Sequence, residues 1–207
     1  MTTATTPFLE ALRHIVGDAH VLPFDTLVLA VGSLPIRLPK PGMDLPGVIT
    51  FRDLSDVAAI RRAAVQHARA IVIGGGLLGL EAAVGLARLG VDTTLLHVMD
   101  RLMERQLDHA AAGLVKRAME ARGVKVLLKA DTAAVEGEGR VERLVLSDGT
   151  VLPADLVVMS VGVRPNVGLA RDAGIETARG ILVDDRMQSS DARISALGEC
   201  AEHRGQV

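Results

Sequence analysis

The chain has 207 residues, 49% of them hydrophobic and 23% charged, with a formal net charge of −2. That length and composition suit one soluble domain or two small ones and exclude a disordered or fibrous chain. The near-neutral balance gives no ground for a nucleic-acid partner, and no apolar run approaches the roughly 20 residues needed to span a bilayer. The opening residues, MTTATTPFLEALRH, lack the basic start, apolar middle and cleavage site of a secretory signal, so a cytoplasmic protein is expected. Cys200 is the single cysteine, which excludes an intrachain disulfide and a cysteine-built zinc site and leaves a small buried side chain as its expected role. The histidines show no HxxxH or HxH spacing, so no metal site is expected. His67, His97 and His109 have no carboxylate partner that spacing reveals.

Residues 25–31, DTLVLAV, lie between Pro23 and Gly32 and read as a strand. An irregular connection rich in proline follows. Asp53 or Ser55 can then N-cap a helix running through about Gln66. AIVI, residues 70–73, is the next strand and leads straight into GGGLLGLE. From Leu77 to Leu89 only Glu81 and Arg88 are charged, which predicts a helix buried on nearly all faces and stopped by Gly90. VDTTLLHV (91–98) reads as a strand, Asp108 to Arg122 as an amphipathic helix ended by Gly123, and VKVLLK (124–129) as a third strand. The alternation over 70–129 implies parallel strands joined by right-handed crossovers. Turn signals at Gly137–Gly139 and Asp148–Gly149 then mark an antiparallel meander that leads to an apolar strand at Leu156–Val161. Two short strands follow, around Ile181–Val183 and Ile194–Leu197. The expected fold class is α/β: a three-layer, Rossmann-like, doubly wound parallel sheet with an antiparallel β-meander insert.

Gly74-x-Gly76-x-x-Gly79 stands directly after a strand and directly before a helix, which is the context that gives this spacing its meaning. The first glycine permits a tight turn, the second lets a pyrophosphate approach the main chain, and the third lets helix and strand pack closely. Free N–H groups near Leu77 and Leu78 then meet phosphates with the helix dipole aligned in their favour. The expected ligand is a nicotinamide dinucleotide. A carboxylate commonly takes the adenosine ribose at the end of the second strand, about 20 residues on. His97 holds that place here, with Asp100 and Arg101 close behind. NAD and NADP both remain open, because Arg101 could serve a 2′-phosphate. Glu81 either complements the helix dipole or lies beside the nicotinamide end of the cofactor.

Four segments in this order, DTLVLAVGSLP (25–35), IVIGGGLLGLEAAVGLARLG (71–90), LVVMSVGVRPN (156–166) and ISALGECA (194–201), resemble the FAD-dependent pyridine nucleotide oxidoreductases. Within that family LMERQLD (102–108) and the glutamate of LGEC look most like assimilatory NAD(P)H nitrite reductases. The resemblance implies that Gly74, Gly76 and Gly79 hold the nicotinamide dinucleotide, that Glu81 lies near its carboxamide and that Gly162 borders the nicotinamide. It also implies that Gly32, Gly198 and Glu199 touch FAD, with glutamate where relatives usually carry aspartate. The glycine-rich turn that opens such proteins and binds the FAD pyrophosphate is absent. Residues 7–22 instead resemble the opening of FAD-linked glycolate or lactate oxidases. The implied layout is an N-terminal segment (1–23), a partial FAD-domain piece (24–66), an NAD(P)-binding domain (67–162) and a second FAD-domain piece (163–207).

The implied chemistry is hydride transfer from NAD(P)H to FAD, for which the cofactors supply the reacting atoms, so no catalytic residue is assigned. A non-catalytic fragment that binds nucleotide or another subunit stays open, since the flavin pyrophosphate site is missing. Remnant strand edges favour a homodimer or pairing with a chain that carries the rest of an FAD domain. A dehydrogenase acting directly on an alcohol is disfavoured, because the chain has no tyrosine for a Tyr–Lys pair.

Overall fold

The computed structural model describes residues 23–65 and 69–207. These residues form two compact units, one built from Pro35–Gly162 and the other from the described residues up to Leu34 together with Val163–Val207.

The larger unit is organised by a five-stranded parallel sheet of order β3 (Val48–Thr50), β10 (Leu156–Met159), β4 (Arg69–Ile73), β5 (Asp92–His97) and β6 (Val124–Leu128). Helix α1 (Leu54–Ala64) connects β3 to β4, α2 (Leu77–Arg88) connects β4 to β5, and α3 (His109–Glu120) connects β5 to β6. All three steps move across the sheet in one direction. Right-handed crossovers therefore put all three helices on the same face. The chain returns to β10 in the opposite direction, through the antiparallel meander β7 (Thr132–Glu136), β8 (Arg143–Leu146) and β9 (Val151–Pro153), and so covers the other face.

Two cores show this three-layer arrangement. Ala70, Val72, Leu95, Leu156 and Val158 pack under Ile60, Ala83, Leu86 and Met119 of the helices. Ile71, Ile73, Leu96, Val157 and Met159 pack against Val135, Val141, Leu144 and Leu146 of the meander. Covered on both sides, β4 from Ala70 onward and β10 read as unbroken apolar runs and show no alternation. The expected fold class holds. The meander insert covers the second face, where a sheet without it would carry helices.

Asp53, not Ser55, caps α1, and its carboxylate accepts from Ser55 N at 2.8 Å and Asp56 N at 3.0 Å. That helix ends at Ala64 with Val65 as its C-cap, whereas its expected end at Gln66 lies outside the described residues, as does His67. Asp108 caps α3 rather than opening it. Helix α2 is buried on one side only, through Gly79, Ala82, Ala83 and Leu86, while Leu77, Glu81, Arg88 and Leu89 are exposed. An expectation of burial on nearly all faces is therefore corrected. The unit also begins well before the expected domain boundary at residue 67, because β3 pairs with β10 and Ile49, Phe51 and Ile60 join the helix-side core.

In the smaller unit β1 (Leu27–Leu29) runs parallel to β13 (Ile194–Ala196), with Leu29 opposite Ala196. β12 (Ile181–Val183) pairs in parallel with β14 (Ala201–His203), and β2 (Ser33–Pro35) pairs with β11 (Val163–Pro165). A short helix, α4 (Gly168–Asp172), supplies Ala170 to a core of Leu29, Ile175, Ile181, Ile194, Ala196 and Cys200. The Cys200 thiol is fully buried and donates to Leu197 O at 3.2 Å, so the cysteine serves packing. Among the described residues, no helix is long and apolar enough to cross a membrane.

Candidate dinucleotide site

The glycine-rich turn sits at the carboxyl end of β4, between β10 on one side and β5 on the other. Strand connections diverge there, and open α/β sheets bind ligands in the crevice such a point leaves. The glycines of the turn meet different demands. Gly74 has φ +120°, and a Cβ there would lie 2.1 Å from Ser160 O. A Cβ on Gly79 would lie 1.8 Å from Gly74 O, so this glycine seats the helix against the turn. Gly76 is different. It has an ordinary φ of −82°, and a Cβ built on it meets no atom within 4 Å.

Gly76 is also the N-cap of α2, and no side chain caps that helix. The first-turn N–H groups that begin at Leu77 and Leu78 are therefore available to an anion in the space above Gly76. Glu81 lies exposed one turn further along. Gly162 follows β10 with φ +109°, and its carbonyl accepts from Ile36 N at 3.0 Å. The turn and Gly162 thus stand at the same edge of the sheet, after neighbouring strands.

His97, the last residue of β5, is 8% exposed and turns inward beneath the turn. Its Nδ1 accepts from Gly75 N at 3.1 Å, which puts the ring proton on Nε2. Nε2 then donates to Glu104 Oε2 at 3.0 Å. The absence of a histidine–carboxylate partner expected from spacing is corrected. His109 also meets Asp100, at 3.3 Å. Both contacts arise because Met103, with φ +53°, turns the chain after β5 back on itself, and Met103 N donates to Gly75 O at 3.0 Å. Burial pushes the Glu104 carboxyl upward, but hydrogen bonds from its own main chain and from His97 outweigh this and hold it below its usual value. Arg101 is engaged inside the same loop, donating to Asp100 Oδ1, Glu104 O and Leu107 O, each at 3.2 Å.

A family model described as pyridine nucleotide-disulphide oxidoreductase matches residues 4–207. The chain belongs to this family. Its members use FAD and a nicotinamide dinucleotide. The chain is 50% identical over 194 residues to a nitrite reductase [NAD(P)H] of Bacillus subtilis, which covers 93% of this chain and 24% of that protein. An FAD-dependent pyridine nucleotide-disulphide oxidoreductase from Desulfovibrio vulgaris is 38% identical, with a TM-score of 0.80 over 90% of this chain and 48% of its own. The water-forming NADH oxidase of Lactobacillus brevis, solved with NADH, is 27% identical with a TM-score of 0.79 over 89% of this chain and 42% of its own. An engineered variant of that oxidase was solved with NADPH. The chain thus spans from about a quarter to about half the length of these relatives. The family match also takes in most of residues 1–23, set apart above as a separate segment.

The residues that the resemblance assigns to flavin contact fall in the smaller unit. Gly32 follows β1 and Gly198 follows β13, so both lie at the carboxyl ends of paired parallel strands. Their φ values are +66° and +74°, and a Cβ on either would meet nothing within 4 Å. Glu199, beside Gly198, accepts from Ser33 Oγ at 2.7 Å, a partner the sequence reading missed. Gly75 and Glu104 were also missed. The middle glycine of the three in a row, in a position the motif leaves free, and the charge within LMERQLD were the available signals.

Proposed function

We propose that the chain is the NAD(P)H-binding module of an FAD-dependent oxidoreductase of the nitrite reductase type. The observation that carries this reading is Gly76. Neither its backbone conformation nor any neighbouring atom requires glycine there, whereas a pyrophosphate drawn against the main chain does. Gly74, Gly79 and the N–H groups at Leu77 and Leu78 complete the phosphate cradle, and Gly162 and Glu81 border the nicotinamide end. Gly32, Gly198 and Glu199 are assigned to flavin contact, with room around both glycines and a carboxylate already oriented by Ser33. Bound flavin would accept the hydride that the nicotinamide delivers. The residues of this chain orient the dinucleotide and neutralise its phosphates without transferring a proton themselves.

A Gly76→Asp variant tests the reading. Aspartate is a good N-cap, so the melting temperature should hold or rise. Its carboxylate would take up the free N–H groups and repel a phosphate, so NADH and NADPH affinity by calorimetry should fall at least about tenfold. Unchanged affinity for both would sink the assignment.

A further inference from the structure

The place where a carboxylate commonly takes the adenosine ribose is filled by His97, whose ring is buried and has both nitrogens occupied. His97 therefore has no group left for a ribose hydroxyl. Glu104 does. Its side chain is a quarter exposed and is held at the end of β5 by the His97 Nε2 proton. An ionised carboxylate offers about four lone-pair directions, and His97 and the residue's own main-chain N–H take two of them.

We propose that Glu104 is the ribose-recognising and coenzyme-selecting residue, accepting hydrogen bonds from the adenosine 2′- and 3′-hydroxyls of NAD and excluding the 2′-phosphate of NADP. The inference rests on the nicotinamide-dinucleotide reading above and deepens it. Three further observations support it. The Glu104 carboxyl is held below its usual value, so at neutral pH it is an anion that accepts from hydroxyls and repels phosphate. Arg101, the cation that could have served a 2′-phosphate, already donates to Asp100, Glu104 O and Leu107 O within the loop. The loop that carries Glu104 is tied to the phosphate-binding turn itself, through Met103 N to Gly75 O at 3.0 Å and Gly75 N to His97. His97 acts as a positioning residue. Glu104 thereby takes over the role of the missing strand-end carboxylate from a position seven residues further along the chain.

The test compares NADH and NADPH binding by calorimetry for the 207-residue protein and for Glu104→Gln and Glu104→Arg, with melting temperatures recorded for all three. Glu104→Gln keeps the shape and an acceptor for His97, so it isolates the charge. The parent should favour NADH by at least about tenfold. Glu104→Gln should weaken NADH by about tenfold while NADPH weakens less or improves, and Glu104→Arg should reverse the preference. A parent that binds both coenzymes equally, or prefers NADPH, would pass selection to the exposed Arg105 and overturn the proposal. So would folded variants that keep the parent's ratio, and the dinucleotide reading would survive either result. Absence of binding to either coenzyme by the folded parent would overturn both readings together.

Discussion

An alanine at position 75 would put its Cβ 2.6 Å from His97 Cγ and 2.8 Å from Leu102 Cδ2, and neither neighbour has room to withdraw. Leu102 is fully buried, and His97 is pinned at both nitrogens. Gly75→Ala should therefore destabilise the fold by about 1–3 kcal/mol, the usual cost of overpacking a filled site. Denaturant unfolding checks this, and an unchanged midpoint would mean that the loop after β5 yields more readily than its contacts indicate. Set beside Gly76→Asp, the pair separates two reasons for glycine in adjacent positions, packing at 75 and ligand approach at 76. The spacing of Gly74, Gly76 and Gly79 made the ligand class legible from sequence. Gly75 was not legible, because its reason lies in a histidine 22 residues away. For the same reason the His97–Glu104 contact escaped detection. It depends on a left-handed Met103, which no local pattern announces.

Elements were most legible where apolar runs alternated with capped helices. β4, α2, β5, α3 and β6 all lie within a residue or two of their expected bounds. Gly90 and Gly123, both with φ +83°, follow α2 and α3 as helix-stopping glycines should. β3 is three residues long, follows a proline-rich connection and is held by pairing with β10, more than a hundred residues away in the chain, so nothing local marked it. The start of α1 could be narrowed to two candidates, and the capping box decides between them. Asp53 accepts from the first-turn N–H groups, and the Asp56 carboxylate accepts in return from Asp53 N. Removing the cap with Asp53→Ala should cost about 1 kcal/mol, within the 0.5–2 range for such caps. Because Ile60 and Ala64 of α1 belong to the main core, the loss should register in global unfolding. The expected result is a lower urea midpoint with an unchanged slope. A changed slope would instead mean that α1 unfolds separately from the sheet.

At the scale of the whole molecule, the direction of travel along the sheet settles which layer lies on which face. Turn signals along the chain mark the meander but not the side it covers. The crossover rule supplies that side once the strand order is known, and strand order is a long-range fact. The larger compact unit starts ahead of the motif for a related reason. Residues 48–50 pair with the sheet through β3, and α1 packs on it through Ile60 and Ala64. Both compact units share one electrostatic feature. Asp53, Asp100, Glu104 and Asp148 in the larger unit and Asp184, Asp185 and Asp191 in the smaller one all have carboxyls held below their usual values. The causes are hydrogen bonds made only in the fold, from Ser55 and Asp56 to Asp53, from His109 to Asp100, from Gln188 and Arg186 to Asp184 and from His203 and Arg204 to Asp185. Because the folded values lie below the unfolded ones, the unfolded chain binds more protons as acid is added. This contribution to stability is complete above the ordinary carboxylate range and is lost as pH falls through the folded values. The melting temperature should therefore stay level down to about pH 5 and decline steadily below about pH 4. The Asp53→Ala deficit should narrow over the same window, since a protonated Asp53 no longer accepts as a carboxylate. Melts followed by circular dichroism from pH 7 to pH 3 read both effects. A flat profile, or a deficit that persists undiminished in acid, would remove these hydrogen-bonded carboxylates from the account of what stabilises the two units.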